Sequence, residues 1–353
     1  MQEIRVVVVD DSSLFRRALT LALESIPGVK VVAALSDGAA ALKKIPELKP
    51  DLVTLDLEMP GMGGMETLRA LRGGRSVGRI LIVSAHSKRG AGMTIEALCH
   101  GADDFITKAP AEGFSGMEGL KGQLRDKLAS LFAERPRPGH TPLPVRAAGS
   151  KVEAVVIAVS TGGPNALSEL FGGLVQPLPV PILVVQHMPP NFTKLLAERL
   201  SSKGVTPVSE AVHGEPIRPG RAYVAPGDFH MEVQGGVGGV NPVLRLHQEA
   251  RLHSCRPAAD LLFRSAAGVY RSGCLGVVMT GMGADGAAGA QSIVEGGGQV
   301  LLQDEASSVV YGMPGAVIEK GVRHRVVPLH QLAATISDYV RLPLLPGTAR
   351  SVS

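Results

Sequence analysis

LVTLDLEMPGMGG, residues 52–64, is the stretch on which the fold turns. Leu52 to Leu55 make a short, mostly apolar strand that delivers one acid, Asp56, at its C-terminal end before a Pro-Gly turn. The same design recurs on both sides of it. Arg5 to Val9 form a first strand that runs into Asp10 and Asp11, and a helix from Ser13 follows with Leu14, Ala18, Leu21 and Ala22 on one face. Val29 to Ala34 form a second strand. RILIV, residues 79–83, is a fourth and ends at Ser84; the short DFI run, residues 104–106, is a fifth and is followed by Thr107 and Lys108. Five strand–helix units in alternation predict a parallel sheet with helices on both faces.

In such a sheet all C-terminal strand ends share one edge, where ligands bind. That edge collects Asp10, Asp11, Asp56, Ser84 and Lys108. Singly, each is an ordinary solvated turn residue; together, at matching strand ends, they describe a site. Packed carboxylates repel and call for a cation. A set of hard oxygen ligands favours Mg²⁺, and a lysine with a hydroxyl beside it would grip a phosphoryl group.

ERPRPGHTPLPVRAAGS, residues 134–150, has four prolines and neither a period of 2 nor one of 3.6, so it reads as a linker. Beyond it the alternation resumes. A strand from Ala154 to Val159 runs into Ser160-Thr161-Gly162-Gly163-Pro164, and a helix follows. PILVVQ, residues 181–186, ends at His187, and GVVMT, residues 276–280, runs into a glycine-rich turn that holds Met282 and Asp285. A serine, a histidine and an aspartate thus each follow a parallel strand. That is the set a serine hydrolase needs, a nucleophile, a general base and an orienting carboxylate, and amides at a helix start suit a developing oxyanion. The GxSxG elbow is absent, and the order Ser, His, Asp differs from that of α/β-hydrolases. From the residues alone, GMGADG could instead cradle a phosphate. His230 and His253 read as structural hydrogen-bonding residues, with substrate binding as the alternative, and Arg256 as the local partner of a carboxylate.

Composition bounds the rest. The 353 residues suffice for two domains. With 3% aromatics and no Trp, the cores must be built from Val, Leu, Ile and Ala, as buried parallel sheets are. The net charge of +4 is spread along the chain with no basic recognition helix, which argues against nucleic acid as a partner. Cys99, Cys255 and Cys274 are odd in number and form no CxxC pair, which argues against a disulfide framework or a zinc site and for a reducing cytoplasm. The opening MQEIRVVVVDDSS is not a signal peptide, and no run of apolar residues is long enough to insert in a membrane.

VVVVDDS, LVTLDLEMPGMGG, VSA and DFITK together resemble the receiver domain of two-component response regulators. VSTGGP, QHMPPNF, PGDFH, RPAADLLF, TGMGADGAAG and QDEASSVVYGMPGA resemble the catalytic domain of the chemotaxis response-regulator methylesterases, the CheB family. The fold class implied is α/β with two doubly wound parallel sheets. A flavodoxin-like receiver covers residues 1–130, a linker residues 131–150, and a Rossmann-like methylesterase domain residues 151–345. By this resemblance Asp56 accepts phosphate from a histidine kinase of the CheA type. Mg²⁺ is held by Asp11, Asp56 and a backbone carbonyl near Glu58, with Asp10 acting through water. Ser84 and Phe105 are the switch pair, and Lys108 contacts the phosphoryl oxygens. Ser160 is the nucleophile, His187 the base and Asp285 the orienting acid, with amides of Thr161 and Met282 as oxyanion donors. The implied reaction is hydrolysis of glutamate γ-methyl esters on methyl-accepting chemoreceptors, with glutamine deamidation beside it, by a cytoplasmic monomer whose rate phosphorylation raises. The esterase itself would need no cofactor. Gly63 stands where the family often has Asp or Asn, and is expected to loosen the loop after Asp56. The same chemistry in a non-motility circuit, or a non-enzymatic response regulator, are the alternatives.

Overall fold

The computed structural model describes residues 3–74, 77–84, 87–108, 116–133, 151–235 and 242–341. Two compact units divide at Glu134 and Arg135. Residues 134–150 of the expected linker, with Arg135, Arg137 and Arg146, lie outside the described residues.

The first unit runs β1 (Ile4–Val9), α1 (Ser13–Glu24), β2 (Val29–Leu35), α2 (Gly38–Leu48), β3 (Leu52–Asp56), α3 (Gly64–Gly73), β4 (Arg79–Ser84), α4 (Lys88–Cys99), β5 (Asp104–Thr107) and α5 (Met117–Leu131). Its strands pair in parallel in the order β2-β1-β3-β4-β5. Val6 to Val9 and Ile80 to Val83 are fully buried, as strands covered on both faces must be. The order reverses beside β1, so the switch-point crevice opens at the ends of β1 and β3, where Asp10 and Asp56 sit. The expected face of α1 is corrected. Leu14 and Leu21 are 80% and 54% exposed, whereas Leu19, Ala22 and Leu23 are buried. Phe15, half-buried, Leu19 and Leu23 repeat every four residues, and with Ala22 they turn a face about 100° round from the expected one to the sheet. Gly63 is the N-cap of α3 and offers it no side-chain hydrogen bond, which an Asp or Asn there could supply.

The second unit runs β6 (Ala154–Val159), α6 (Gly163–Gly173), β7 (Ile182–Gln186), α7 (Phe192–Lys203), β8 (Val208–Glu210), β9 (Ala222–Val224), β10 (His230–Gln234), β11 (Val243–His247), α8 (Ala259–Tyr270), β12 (Cys274–Val278), α9 (Ala287–Glu295), β13 (Gln299–Gln303), α10 (Gly312–Glu319), β14 (Arg325–Val327) and α11 (Leu329–Arg341). Seven strands pair in parallel in the order β14-β13-β12-β6-β7-β9-β8. The first strand of the unit, β6, lies inside the sheet with β12 on one side and β7 on the other, so the chain reverses direction across it. Val159 pairs with Gln186, and Ala158 with Val278. The residues that follow these three strands therefore emerge side by side at one edge. The antiparallel hairpin β10–β11 departs from uniform parallel alternation.

Candidate functional sites

At the first edge, Asp56 ends β3 and Asp10 follows β1; both are buried. Lys108, just past β5, reaches back with its Nζ 2.6 Å from Asp56 Oδ2 and 3.0 Å from Asp10 Oδ2, while the Phe15 ring lies 5.0 Å from that ammonium. Backbone amides complete the frame: Ser12 N–H donates to Asp10 Oδ1 at 2.9 Å, and Glu58 N–H to Asp56 Oδ1 at 3.2 Å. Burial pushes the Asp10 carboxyl above its ordinary range; the hydrogen bond and charge of Lys108 oppose that, and the neighbouring Asp56 adds to it. Burial works against the Lys108 ammonium, yet its pKa is raised, because the bonds to Asp56 and Asp10 outweigh the burial.

Oxygens of Asp10, Asp11 and Asp56 all lie within 4.8 Å of one another. An all-oxygen donor set with more negative charge than one lysine offsets fits a hard divalent cation. Glu58 is exposed and its carboxylate is not part of the cluster; the sequence expectation concerned a backbone carbonyl there. Ser84 is buried at the end of β4 with its Oγ 2.6 Å from Thr94 Oγ1, and Phe105 is buried in β5. Lys108 N–H donates to Ser84 O at 2.8 Å, which ties the last two strand ends together.

At the second edge, the turn after β6 is built by glycine. Gly162 has φ of +79°, and a Cβ there would lie 2.6 Å from the Val309 side chain; at Gly163 a Cβ would strike the Gln186 amide. Ser160 N–H donates to Thr280 O at 3.0 Å, and a Cβ on Gly281 would lie 2.8 Å from Ser160 Cβ. The serine and the loop after β12 are thus in close contact. Thr280 Oγ1 donates to Thr161 O at 2.9 Å, which binds the Thr161 and Met282 stretches into one frame. His187 N–H donates to Val159 O at 3.2 Å, so the histidine leaves β7 right beside Ser160.

The imidazole is oriented by Asp285, whose Oδ2 lies 2.7 Å from His187 Nε2. Asp285 is buried and also accepts from Ala259 N–H at 2.6 Å and Asp260 N–H at 3.0 Å. A carboxylate with those acceptor bonds is ionised, so Nε2 carries the proton and Nδ1 is left as the basic nitrogen. Burial raises Asp285, but the hydrogen bonds from His187 and the two amides hold it below its usual value. Burial works to lower His187, and the bond to Asp285, then the Cys255 contact, override it and push the imidazole up to about 9. Cys255 Sγ lies 3.8 Å from Nδ1.

His187 and Asp285 are therefore joined, whereas no hydrogen bond between Ser160 Oγ and His187 is found among the described residues. Ligand-free nucleophile–base pairs commonly stand looser than in the reacting complex. Two residues escaped the sequence reading. Gln186, buried in β7, donates from Nε2 to Ser160 O at 3.0 Å and His187 O at 3.2 Å, bracing both backbones. Cys255 gave no signal beyond adjacency to the RPAAD motif, because only the fold brings it to His187. Arg256 meets Asp228, with Nη2 2.8 Å from Oδ1. His230 and His253 bond to Ala250 and Ala258 backbone and to Asp260, respectively.

A cation-ready acidic edge on a five-stranded sheet and a Ser/His/Asp edge on a seven-stranded one define a two-unit α/β protein that joins a response-regulator fold to a hydrolase-like one. A profile described as response regulator receiver domain matches residues 6–113, and one described as CheB methylesterase matches residues 155–336. The chain belongs to the CheB methylesterase family, in the form that carries an N-terminal receiver domain. It is 44% identical to a protein-glutamate methylesterase/protein-glutamine glutaminase of Nocardioides sp., over 95% of each chain. A Caulobacter vibrioides protein of the same name, numbered 2, is 42% identical over 96% of this chain and 99% of its own. The crystal structure of the Thermotoga maritima CheB methylesterase catalytic domain is 40% identical, with a TM-score of 0.51, and spans 54% of this chain and 99% of its own. Among the described residues no helix is long and apolar enough to cross a membrane.

Proposed function

We propose that this chain hydrolyses glutamate γ-methyl esters on chemoreceptors, releasing methanol, and deamidates receptor glutamines at the same site, under the control of phosphorylation at Asp56. The observation that carries the proposal is the 2.7 Å His187–Asp285 pair beside Ser160 at the joined ends of β6, β7 and β12. Near-full-length similarity to relatives named for both activities supports it.

Ser160 Oγ attacks the ester carbonyl as His187 Nδ1 takes its proton. Asp285 stabilises the imidazolium without itself taking a proton. Amides of Thr161, just before α6, and of Met282, in the loop after β12, receive the oxyanion. His187 then protonates the departing methoxide and, in the second half-reaction, takes a proton from water, which hydrolyses the acyl-serine to glutamate. For glutamine the leaving group is ammonia.

At the other edge, Asp56 accepts a phosphoryl group from a histidine kinase of the CheA type. Asp11, Asp56 and a backbone carbonyl near Glu58 would hold Mg²⁺, with Asp10 acting through water, and the cation would supply charge neutralisation for the transfer. Lys108 leaves its carboxylate partners for the phosphoryl oxygens, and Ser84 and Phe105 relay the change. Both sites lie on one chain, so a monomer suffices, and free thiols at Cys99, Cys255 and Cys274 suit the cytoplasm. The test is methanol release from a methylated receptor, with and without acetyl phosphate. Wild-type release by Ser160→Ala would refute the nucleophile; equal rates with Asp56 demonstrably phosphorylated would refute the control.

A further inference from the structure

Two of the motifs, PGDFH and RPAADLLF, have no task in that mechanism, yet the fold brings both to the back of Asp285. Ala258 stands at the N-cap of α8 and Gly286 at that of α9, and neither has a side chain that can cap its helix. Each helix borrows an aspartate from the other's sequence. Asp285, just before α9, accepts the Ala259 and Asp260 amides that open α8. Asp260, inside α8, accepts from Gly286 N–H at 3.0 Å and Gly289 N–H at 2.6 Å, which open α9. The helices approach so closely that a Cβ on Gly289 would lie 3.1 Å from Asp260 Cα and strike Phe263 Cβ.

His230 holds the same helix start from behind. It is fully buried in β10, with Nδ1 accepting from Ala258 N–H at 3.2 Å and Nε2 3.1 Å from Ala250 O. Nε2 must carry the proton to donate to that carbonyl, so the imidazole is neutral and its tautomer fixed. Three successive amides, those of Ala258, Ala259 and Asp260, are thereby claimed by His230 and Asp285.

We propose that Asp260, with His230 behind it, is a positioning residue for the reaction: the exchange of aspartates between α8 and α9 fixes Asp285 against the His187 imidazole and so sets the basicity of His187. This rests on Ser160, His187 and Asp285 being the reacting set. Neither Asp260 nor His230 touches the reacting atoms. An aspartate free to drift by an ångström would lose the 2.7 Å bond that orients the ring. The titratable and charged groups around this frame are Asp285 and Cys255 at His187, Asp260 and His253 behind Asp285, and His230, His247 and Arg256 beyond the start of α8.

The test uses the full chain and three readouts: methanol release from a methylated receptor, its dependence on pH, and the low-field NMR signal of the His187 Nε2–H proton. Asp260→Ala is expected to lower kcat about 10²-fold with KM little changed, the scale of loss an ångström of misplacement brings. Its acidic limb should move to lower pH and the low-field proton upfield, since the bond that raises His187 is weakened. Asp260→Asn keeps an oxygen for the Gly286 and Gly289 amides and should recover most of the rate and both signatures. A folded Asp260→Ala protein with unchanged limb and proton overturns the proposal whatever its rate, as does an Asp260→Asn protein no better than alanine. Should Asp260→Ala not fold, Asp260→Glu, which displaces the carboxylate by one methylene, is read by the same two signatures. Asp285→Asn is the control. If it keeps the wild-type rate, the reacting set itself is wrong; if it loses activity while Asp260→Ala is silent, only the positioning role falls.

Discussion

At the edge of the first sheet, Asp10, Asp11 and Asp56 crowd together against the single ammonium of Lys108. At the edge of the second, Asp285 has both oxygens filled, by two amides and by the His187 ring. Topology is the same in both: acids at the C-terminal ends of parallel strands, around the point where strand order reverses. The kind of donor is not: Asp10 and Asp56 each take one backbone amide but share a single lysine for the other oxygen, whereas the donors to Asp285 are two helix-start amides and a ring. An edge with surplus negative charge and one lysine shared by two acids suits the proposed exchange of partners, a divalent cation and then a phosphoryl group. An edge whose carboxylate is saturated is built to stay still while a proton moves beside it. One fold principle thus gives two different edges, and what separates them is whether two carboxylates share one lysine or one carboxylate has its own fixed set of donors.

The comparison breaks most visibly at Asp285. Asp285→Asn should keep the shape of the site, yet remove the charge that orients and stabilises the imidazolium, and kcat for methanol release should fall about 10⁴-fold. A loss below about 10-fold would mean that the second edge is not the static one and that His187 finds its orientation elsewhere.

Asp56→Asn tests the opposite character. Phosphoryl incorporation from acetyl phosphate should vanish, and with it any response of the esterase, so the rate ratio with and without phosphodonor becomes one. Chelation of divalent cations should have the same effect on incorporation in the unaltered chain. Incorporation that survives chelation would remove the reason for gathering three carboxylates around one lysine.

Much of this was legible in the residues, and the failures have physical reasons. Strand ends were readable because apolar runs and the polar residues after them are local signals: Asp56 ends its strand, Asp10, Ser160 and His187 directly follow theirs, and Asp285 lies in the glycine-rich loop after β12. The face of α1 was not, because Leu14, Leu21 and Leu19, Leu23 offer two apolar stripes on one helix, and only packing on the sheet selects the second. Gln186 looks like any strand residue until its amide is seen to brace two carbonyls. The aspartate exchange between Asp260 and Asp285 spans 25 residues of sequence and depends on helix approach, which no periodicity encodes.

The pH profile sharpens the second half of the comparison. His187 must be neutral to act as a base, and its pKa is raised to about 9. The kcat/KM for ester hydrolysis should therefore keep rising with pH above the usual imidazole range near 6.5 and level off around 9. Stability carries the matching sign. A group raised on folding stabilises fully below its unfolded pKa and loses that contribution as pH climbs through the folded one, so the second unit should soften between about 6.5 and 9. Urea titrations across that window check it, and in Asp285→Asn the window should close.

The smallest effect is expected at Cys255, and it defines how much of the raised basicity belongs to the carboxylate alone. The sulfur lies 3.8 Å from His187 Nδ1 and, after Asp285, is the next group that raises the imidazole. A thiol is a weak hydrogen-bond partner, and the bond of Nε2 to an ionised, saturated carboxylate is the stronger hold. Cys255→Ala should accordingly change the rate at neutral pH by less than about 5-fold, on the order of 1 kcal/mol or less, and lower the acidic limb only slightly. Its direction is informative. Removing a group that favours the protonated ring frees Nδ1 for the Ser160 proton, so the rate below the limb should rise rather than fall. A fall comparable to that of Asp285→Asn would place the thiol among the groups that hold the ring, and the second edge would then owe its stillness to two side chains instead of one.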